Sequence, residues 1–189
     1  MNLQSNNIFE ENGLLLRKYE LSDKEERLSA IKESFDELTY WFATFNTDAQ
    51  DEFNELWLME NDVNWNKGLE YCFMLQYSDS PRMLGEIRIN NINFKNNFAN
   101  LMYWVRTSEK GKGLAAKGSK IAVKIAFDEL KLNRLEVFMS TANLASRRVA
   151  EKIGAKYEGE MRKRIVVKDR IDDAYLYSII PEDLITLSF

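Results

Sequence analysis

Tyr103-Trp104-Val105-Arg106-Thr107-Ser108-Glu109-Lys110-Gly111-Lys112-Gly113-Leu114-Ala115-Ala116 is the most informative stretch of this chain. An apolar, aromatic run with strand character gives way to a polar loop, and the loop opens a helix through two glycines. A strand-to-helix turn of this kind exposes consecutive backbone N–H groups at the positive end of a helix dipole, which suits a phosphate or pyrophosphate. Glycine serves because a side chain would hold the anion off the backbone. Lys110 and Lys112 add positive charge. Three phosphate-binding schemes compete. The P-loop pattern GxxxxGK[ST] does not occur in the chain. The dinucleotide fingerprint GxGxxG/A is met by Gly111, Gly113 and Ala116, but Arg106 to Lys110 intervene where that fingerprint sits directly on a strand end. The third scheme depends on what lies around the loop.

Upstream, Leu14 to Tyr19 reads as a first strand. Ser22-Asp23-Lys24-Glu25 reads as a capping box, with helix to about Ser34 and on through Leu38 and Trp41. Thr47-Asp48-Ala49-Gln50 reads as a second box, opening a helix through Phe53, Leu56, Trp57 and Glu60. Strands follow over Glu70 to Tyr77, Met83 to Ile92 and Phe98 to Val105, joined by the turns Ser78–Pro81 and Phe94–Asn97, so this part of the sheet is antiparallel. Downstream come a helix from Gly113 to about Lys131, a strand over Leu135–Met139, and a short helix from Asn143 to Ile153. A last hairpin covers Tyr157–Val167 and Ile171–Ile180. The expected class is α+β (α/β): a mixed, mostly antiparallel sheet of seven strands flanked by helices, in one domain over residues 1–189, with a single strand–helix–strand crossover near its middle.

Composition removes whole classes of chemistry. With 189 residues and 45% hydrophobic content the chain is long and apolar enough to bury a core. It has no histidine, which excludes Ser-His-Asp and Cys-His arrangements and the HExxH zinc sites, so no metal is expected. Cys72 is the only cysteine, lies in the apolar run Tyr71–Leu75, and reads as a small core residue. The N-terminal residues show neither a basic nor an apolar signal region and no stretch has the length of a membrane span, so a soluble, cytoplasmic protein without a membrane partner is expected. The net charge of −4 conceals a split. Residues 1–60 hold 5 basic and 14 acidic side chains, and residues 106–170 hold 17 basic and 8 acidic. Arg162-Lys163-Arg164 lacks interleaved aromatic residues in an acidic chain, so nucleic acid is not expected as substrate.

The run Tyr103-Trp104-Val105, then Gly111-Lys112-Gly113-Leu114-Ala115, then Asn143-Leu144-Ala145-Ser146 on a helix ending at Gly154, then Tyr157-Glu158-Gly159-Glu160, resembles the GNAT N-acetyltransferases. Within that family it is most similar to the RimJ/RimL-type branch, which acetylates N-termini of ribosomal proteins. The resemblance spans nearly the whole chain and is strongest over residues 99–180. It implies acetyl-CoA as co-substrate. The pantetheine arm would run along Leu101–Val105, with the pyrophosphate on Lys110, Gly111, Lys112, Gly113, Leu114 and Ala115. Asn143 would hydrogen-bond the arm, or act as a helix cap. Ser146 matches the hydroxyl near the coenzyme sulfur, Tyr103 is an alternative proton donor, and the backbone N–H near Val105 would face the thioester carbonyl. Where the family often carries an acid before this tyrosine, the chain has Asn100-Leu101-Met102, so the base is sought at Glu70, or at Glu86. The implied reaction is direct transfer to a primary amine, with a protein N-terminal α-amine as the leading acceptor. A small amine such as an aminoglycoside or polyamine, a non-catalytic coenzyme A-binding module, and a homodimer are all compatible with the sequence.

Overall fold

The computed structural model describes residues 3, 7–42, 45 and 51–185, so the Thr47–Gln50 box lies outside the described residues. Eight strands form one sheet: β1 (Ile8–Glu11), β2 (Leu14–Lys18), β3 (Tyr71–Tyr77), β4 (Met83–Asn93), β5 (Phe98–Val105), β6 (Arg134–Ser140), β7 (Lys156–Val167) and β8 (Arg170–Ile179). Their spatial order is β1-β2-β3-β4-β5-β6-β8-β7. Every neighbouring pair is antiparallel except β5–β6. The count exceeds the expected seven by β1, which pairs with β2 through a tight turn in which Asn12 and Gly13 have φ of 52° and 76°. Asn-Gly with two positive φ values matches the right-handed twist of a hairpin.

Helices α1 (Lys24–Glu33), α2 (Phe35–Trp41) and α3 (Asp51–Asn66) follow β2, and α6 (Pro181–Ile185) follows β8. Helix α4 (Leu114–Lys124) continues into one π turn over Ile125–Glu129, and α5 (Leu144–Lys152) lies between β6 and β7. The capping box at the start of the first helical segment is not the one expected from Ser22 and Glu25. Asp23 reaches back to accept from the Glu20 backbone N–H at 2.8 Å, while the Ser22 hydroxyl bonds Glu20 Oε2. A 3₁₀ turn over Leu21–Asp23 moves the start of the helical segment two residues ahead of the sequence signal.

Two hydrophobic clusters hold the layers together. One lies between the sheet and α4 with α5, around Leu75, Ile87, Leu101, Ile121, Ala122 and Val137. The second joins α1–α3 to the other face, around Ile31, Leu38, Phe45, Leu58, Cys72 and Trp104. Residues 71–76 are buried on both faces, as the unbroken apolar run requires. Cys72 is a free, fully buried thiol whose pKa burial drives well above its usual value, in keeping with a core residue. Two glycines permit close approach. A Cβ on Gly85 would stand 2.3 Å from Trp104 O across β4–β5, and one on Gly118 would meet Ile87 and Leu75 side chains at 3.2 Å where α4 lies on the sheet.

Candidate active site

The sheet is split at its centre. Strands β5 and β6 pair only through Phe98↔Arg134, Ala99↔Leu135 and Asn100↔Glu136. Beyond Asn100, β5 stays on β4 as far as Val105, while β6 follows β8 as far as Ser140. Residues 101–105 thus border a wedge on their β6 side, and a cavity of about 570 Å³ passes through it. That volume is ordinary for a small-molecule site. The split is invisible to apolar periodicity, because both strands remain regular on their other edges.

On the α4 side, the cavity is bounded by Glu109, Lys110, Gly111, Gly113, Leu114 and Ala115. Gly111 and Gly113 have φ of 78° and 75°, and a Cβ built on either meets no atom within 4 Å. Their conformation and the empty space in front of them leave a cradle that any side chain would partly fill, at the start of an 11-residue helix. The loop is gripped from α1. Arg106, 3% exposed, donates to Glu26 at 3.0 Å and to Ser29 at 2.7 Å, and its Nε stands 2.9 Å from Glu33. Thr107 N–H donates to Ser34 Oγ and Ser108 N–H to Glu33. These contacts were not legible from sequence. The lysines of the loop are engaged with carboxylates: Lys110 pairs with Glu37, and Lys112 Nζ donates to Glu109 at 2.7 Å. Lys112 is not on the cavity wall. The charge split is therefore partly closed by ion pairs between the two halves, which also include Arg106 with Glu26 and Glu33, and Lys124 with Glu11 at 2.7 Å.

Asn143 caps α5, its Oδ1 accepting from Ser146 N–H at 3.0 Å, and the residue lines the cavity. That cap fixes Ser146. Tyr103 Oη donates to Ser146 O at 3.0 Å and lies 3.0 Å from Ser146 Oγ. With the tyrosine proton on the carbonyl, the serine hydroxyl donates to Tyr103; with Tyr103 donating to Oγ, the serine proton is free to face the cavity. Burial raises the Tyr103 pKa well above its usual value, so the ring is a neutral donor at ordinary pH.

The other wall, on the α1–α3 side, is formed by Arg88 and Asn90 of β4, by Asn100, Met102 and Trp104 of β5, and by Trp41 and Phe42 from α2. The register places Arg88 opposite Met102, with Glu86 opposite Trp104 and Asn90 opposite Asn100. Behind the wall, Glu86 is fully buried. Arg88 Nε donates to it at 2.5 Å, Tyr19 Oη donates at 3.0 Å, and Arg27 stands 3.8 Å away. Burial alone would raise the Glu86 pKa, but Arg88 and Arg27 together with the two hydrogen bonds hold it below its usual value. Glu86 is thus a locked anion and a poor proton acceptor. Glu70 lies beside the wall rather than on it. It contacts Arg88 at 3.6 Å, burial raises its pKa, and it does not line the cavity. Arg88, which sequence reasoning did not single out, occupies the wall instead. Among the described residues there is no group of three or more metal-ligating side chains, and no helix is long and apolar enough to cross a membrane.

A cleft sheet, a glycine cradle and an adjoining hydroxyl pair would suit a phosphorylated, extended co-substrate. Putative ribosomal N-acetyltransferase YdaF of Bacillus subtilis (strain 168) is 27% identical over 176 residues, covering 90% of this chain and 92% of that protein. The solved structure of RimL, a ribosomal L7/L12 α-N-protein acetyltransferase in complex with coenzyme A, superposes with a TM-score of 0.86 at 18% identity, over 92% of this chain and 97% of that one. The microcin C7 self-immunity acetyltransferase MccE, in complex with acetyl-CoA and AMP, gives 0.84 at 17% identity, over 90% and 93%. Residues 13–156 match the acetyltransferase (GNAT) domain, and this protein belongs to that family of acetyl-CoA-dependent acetyltransferases.

Proposed function

We propose that the protein transfers the acetyl group of acetyl-CoA to the α-amine at the N-terminus of a protein. Acetyl-CoA supplies the acetyl group as an activated thioester. The residues on the wedge fit it in detail. The free edge of Leu101–Val105 offers backbone groups to an extended arm, with the Val105 N–H nearest the reacting carbonyl. The backbone of Lys110–Ala115, through the open cradle at Gly111 and Gly113, receives the pyrophosphate. Asn143 offers its amide N–H to the arm. Ser146, oriented by the Asn143 cap and by Tyr103, holds a proton for the departing sulfur.

The observation that carries the choice of acceptor is the absence of an unengaged carboxylate on the cavity wall among the described residues. Only Glu37 and Glu109 line it; Glu37 pairs with Lys110, and Glu109 with Lys112 and Arg82. Without a strong base, the amine must arrive largely neutral. An α-amine, with pKa near 8, is about a tenth neutral at pH 7; a lysine side chain, near 10.4, is neutral at only a few parts in ten thousand. The similarity across 90% of the chain to YdaF, a putative ribosomal N-acetyltransferase, supports a protein acceptor, whereas MccE shares the fold in complex with acetyl-CoA and AMP, so the fold does not choose the acceptor. A buried free thiol and the need for coenzyme A fit a cytoplasmic enzyme. The test is mass-resolved acetylation, at pH 7, of a peptide with a free N-terminus against the same peptide blocked at the N-terminus and carrying a lysine, with spermidine and an aminoglycoside as further acceptors. The free α-amine is expected to react at least about 100-fold faster per total amine. Preferential acetylation of the lysine or of either small amine overturns the assignment.

A further inference from the structure

Arg88 is a desolvated cation with unused hydrogen-bonding capacity on the acceptor wall. Its side chain is 14% exposed. Nε is committed to Glu86, and Nη1 lies 3.6 Å from Glu70, beyond a full hydrogen bond. Among the described residues neither Nη makes a hydrogen bond. The guanidinium is nevertheless fixed, with its Cζ 5.1 Å from the Trp57 ring centroid and 5.9 Å from that of Phe45. A rigid fork with spare N–H donors recognises oxygen. Two further polar residues line the same wall, Asn100 and Trp104, on the strand that borders the wedge. The register puts them on either side of Arg88, one pair above and one pair below Met102.

Charge decides which oxygen. Around Arg88 the cluster holds two guanidiniums, Arg27 and Arg88, and two carboxylates, Glu86 and Glu70. A ligand carboxylate would bring a third negative charge into a buried, already balanced set, whereas a carbonyl oxygen accepts from Arg88 without disturbing it. We propose that Arg88 is the acceptor-reading residue, donating to the carbonyl oxygen of the acceptor's first residue so that the enzyme selects α-amino amides, the chemistry of a peptide N-terminus. This rests on the N-terminal α-amine reading above and adds how that amine is told from others.

The test uses alaninamide, isopropylamine and free alanine, which share the branched α-carbon and amine and differ in the group Arg88 would meet. Affinities are measured by calorimetry on protein saturated with coenzyme A, and both these affinities and turnover with acetyl-CoA are expressed per neutral amine. The wild type is expected to bind alaninamide about 10- to 100-fold more tightly than isopropylamine, as for a hydrogen bond from a charged donor, and more tightly than alanine. Arg88→Lys keeps a cation beside Glu86 but loses the fork; it should bring the two amines within about threefold while coenzyme A affinity is retained. Equal binding of alaninamide and isopropylamine by the wild type overturns the proposal without any variant. Tighter binding of alanine overturns the neutral carbonyl, and an unchanged ratio in Arg88→Lys overturns the residue. If peptides with free N-termini are acetylated while the two amines are treated alike, this inference falls and the proposed function stands. If lysine side chains are acetylated and no α-amine is, both fall.

Discussion

Gly113→Ala separates the needs of the fold from those of the co-substrate. Gly113 has φ 75° and ψ 10°, and a Cβ there meets no protein atom within 4 Å. The cost to the folded protein is therefore conformational only, about 1–2 kcal/mol for an L-residue held in the left-handed region. In a domain of this size that lowers Tm by roughly 2–8 °C. The methyl group stands where the cradle would take an anion. Displacing a phosphate oxygen from one backbone N–H costs about 1.5–3 kcal/mol, or roughly 10- to 150-fold in Kd for coenzyme A. Gly13→Ala is a matched control, with φ 76°, equally open space, and a position in the β1–β2 turn far along the sheet. It should lose the same stability and no affinity. Calorimetric titration with coenzyme A and thermal melts of both variants read the two quantities independently. Wild-type affinity in Gly113→Ala, or an equal loss of affinity in Gly13→Ala, would refute the assignment of the loop as the anion seat.

Other expectations concern the hydroxyl pair, the strand contact and acid stability. Ser146→Ala and Tyr103→Phe should each lower kcat by about 10²-fold, as for loss of a general acid, with coenzyme A affinity within threefold of wild type. If the two act as a unit, the double variant is no slower than the worse single one; multiplicative losses in steady-state kinetics would separate them. Gly85→Ala should cost about 3 kcal/mol in a denaturant titration, since β4 and β5 must part to relieve the 2.3 Å contact with Trp104 O. An unchanged midpoint would show that the strands accommodate it freely. Glu158 is held at a pKa of about 2 by hydrogen bonds from Arg134, which outweigh the upward effect of burial, and from Ser178. Its folded pKa lies below the unfolded one, so its contribution is complete above about pH 4.5 and fades as pH falls toward 2. Glu158→Gln should flatten this part of the stability–pH curve, and an unaltered slope between pH 4.5 and 2 would contradict the pairing.

What could be read in advance followed from local chemistry. The glycine loop, the Asn143 cap with Ser146 three residues on, and the doubly buried strand through Cys72 each announce themselves in a few adjacent residues. Three features did not. Strand β1 carries Glu10 and Glu11 beside Ile8 and Phe9, a half-exposed pattern at a sheet edge with little apolar alternation, although Asn12-Gly13 was a legible hairpin signal. The wedge beside Leu101–Val105 was implied by the family resemblance but not by local chemistry, because it depends on which strand each edge lacks and periodicity reports only faces. The general base was sought at Glu70 or Glu86, with Glu70 preferred because the resemblance implies polar catalytic groups near it. Tertiary pairing with Arg27, Arg88 and Tyr19 neutralised that expectation and brought Arg88 to the surface of the cavity. Lys110 and Lys112, read as adding positive charge to the loop, pair with Glu37 and Glu109, the former distant in sequence.

The grip of α1 on the glycine loop has a thermodynamic consequence. Arg106, Thr107 and Ser108 are fastened to Glu26, Ser29, Glu33 and Ser34, and the next turn of chain, α2, forms the acceptor wall through Trp41 and Phe42. One mount therefore carries both substrates' binding surfaces. A ligand that steadies the loop also steadies the wall, and the benefit to the second ligand must equal the benefit the second confers on the first. Positive coupling between the two affinities is expected from this shared support without any moving lid, and loosening α1 at Arg106 would weaken that coupling rather than abolish either affinity.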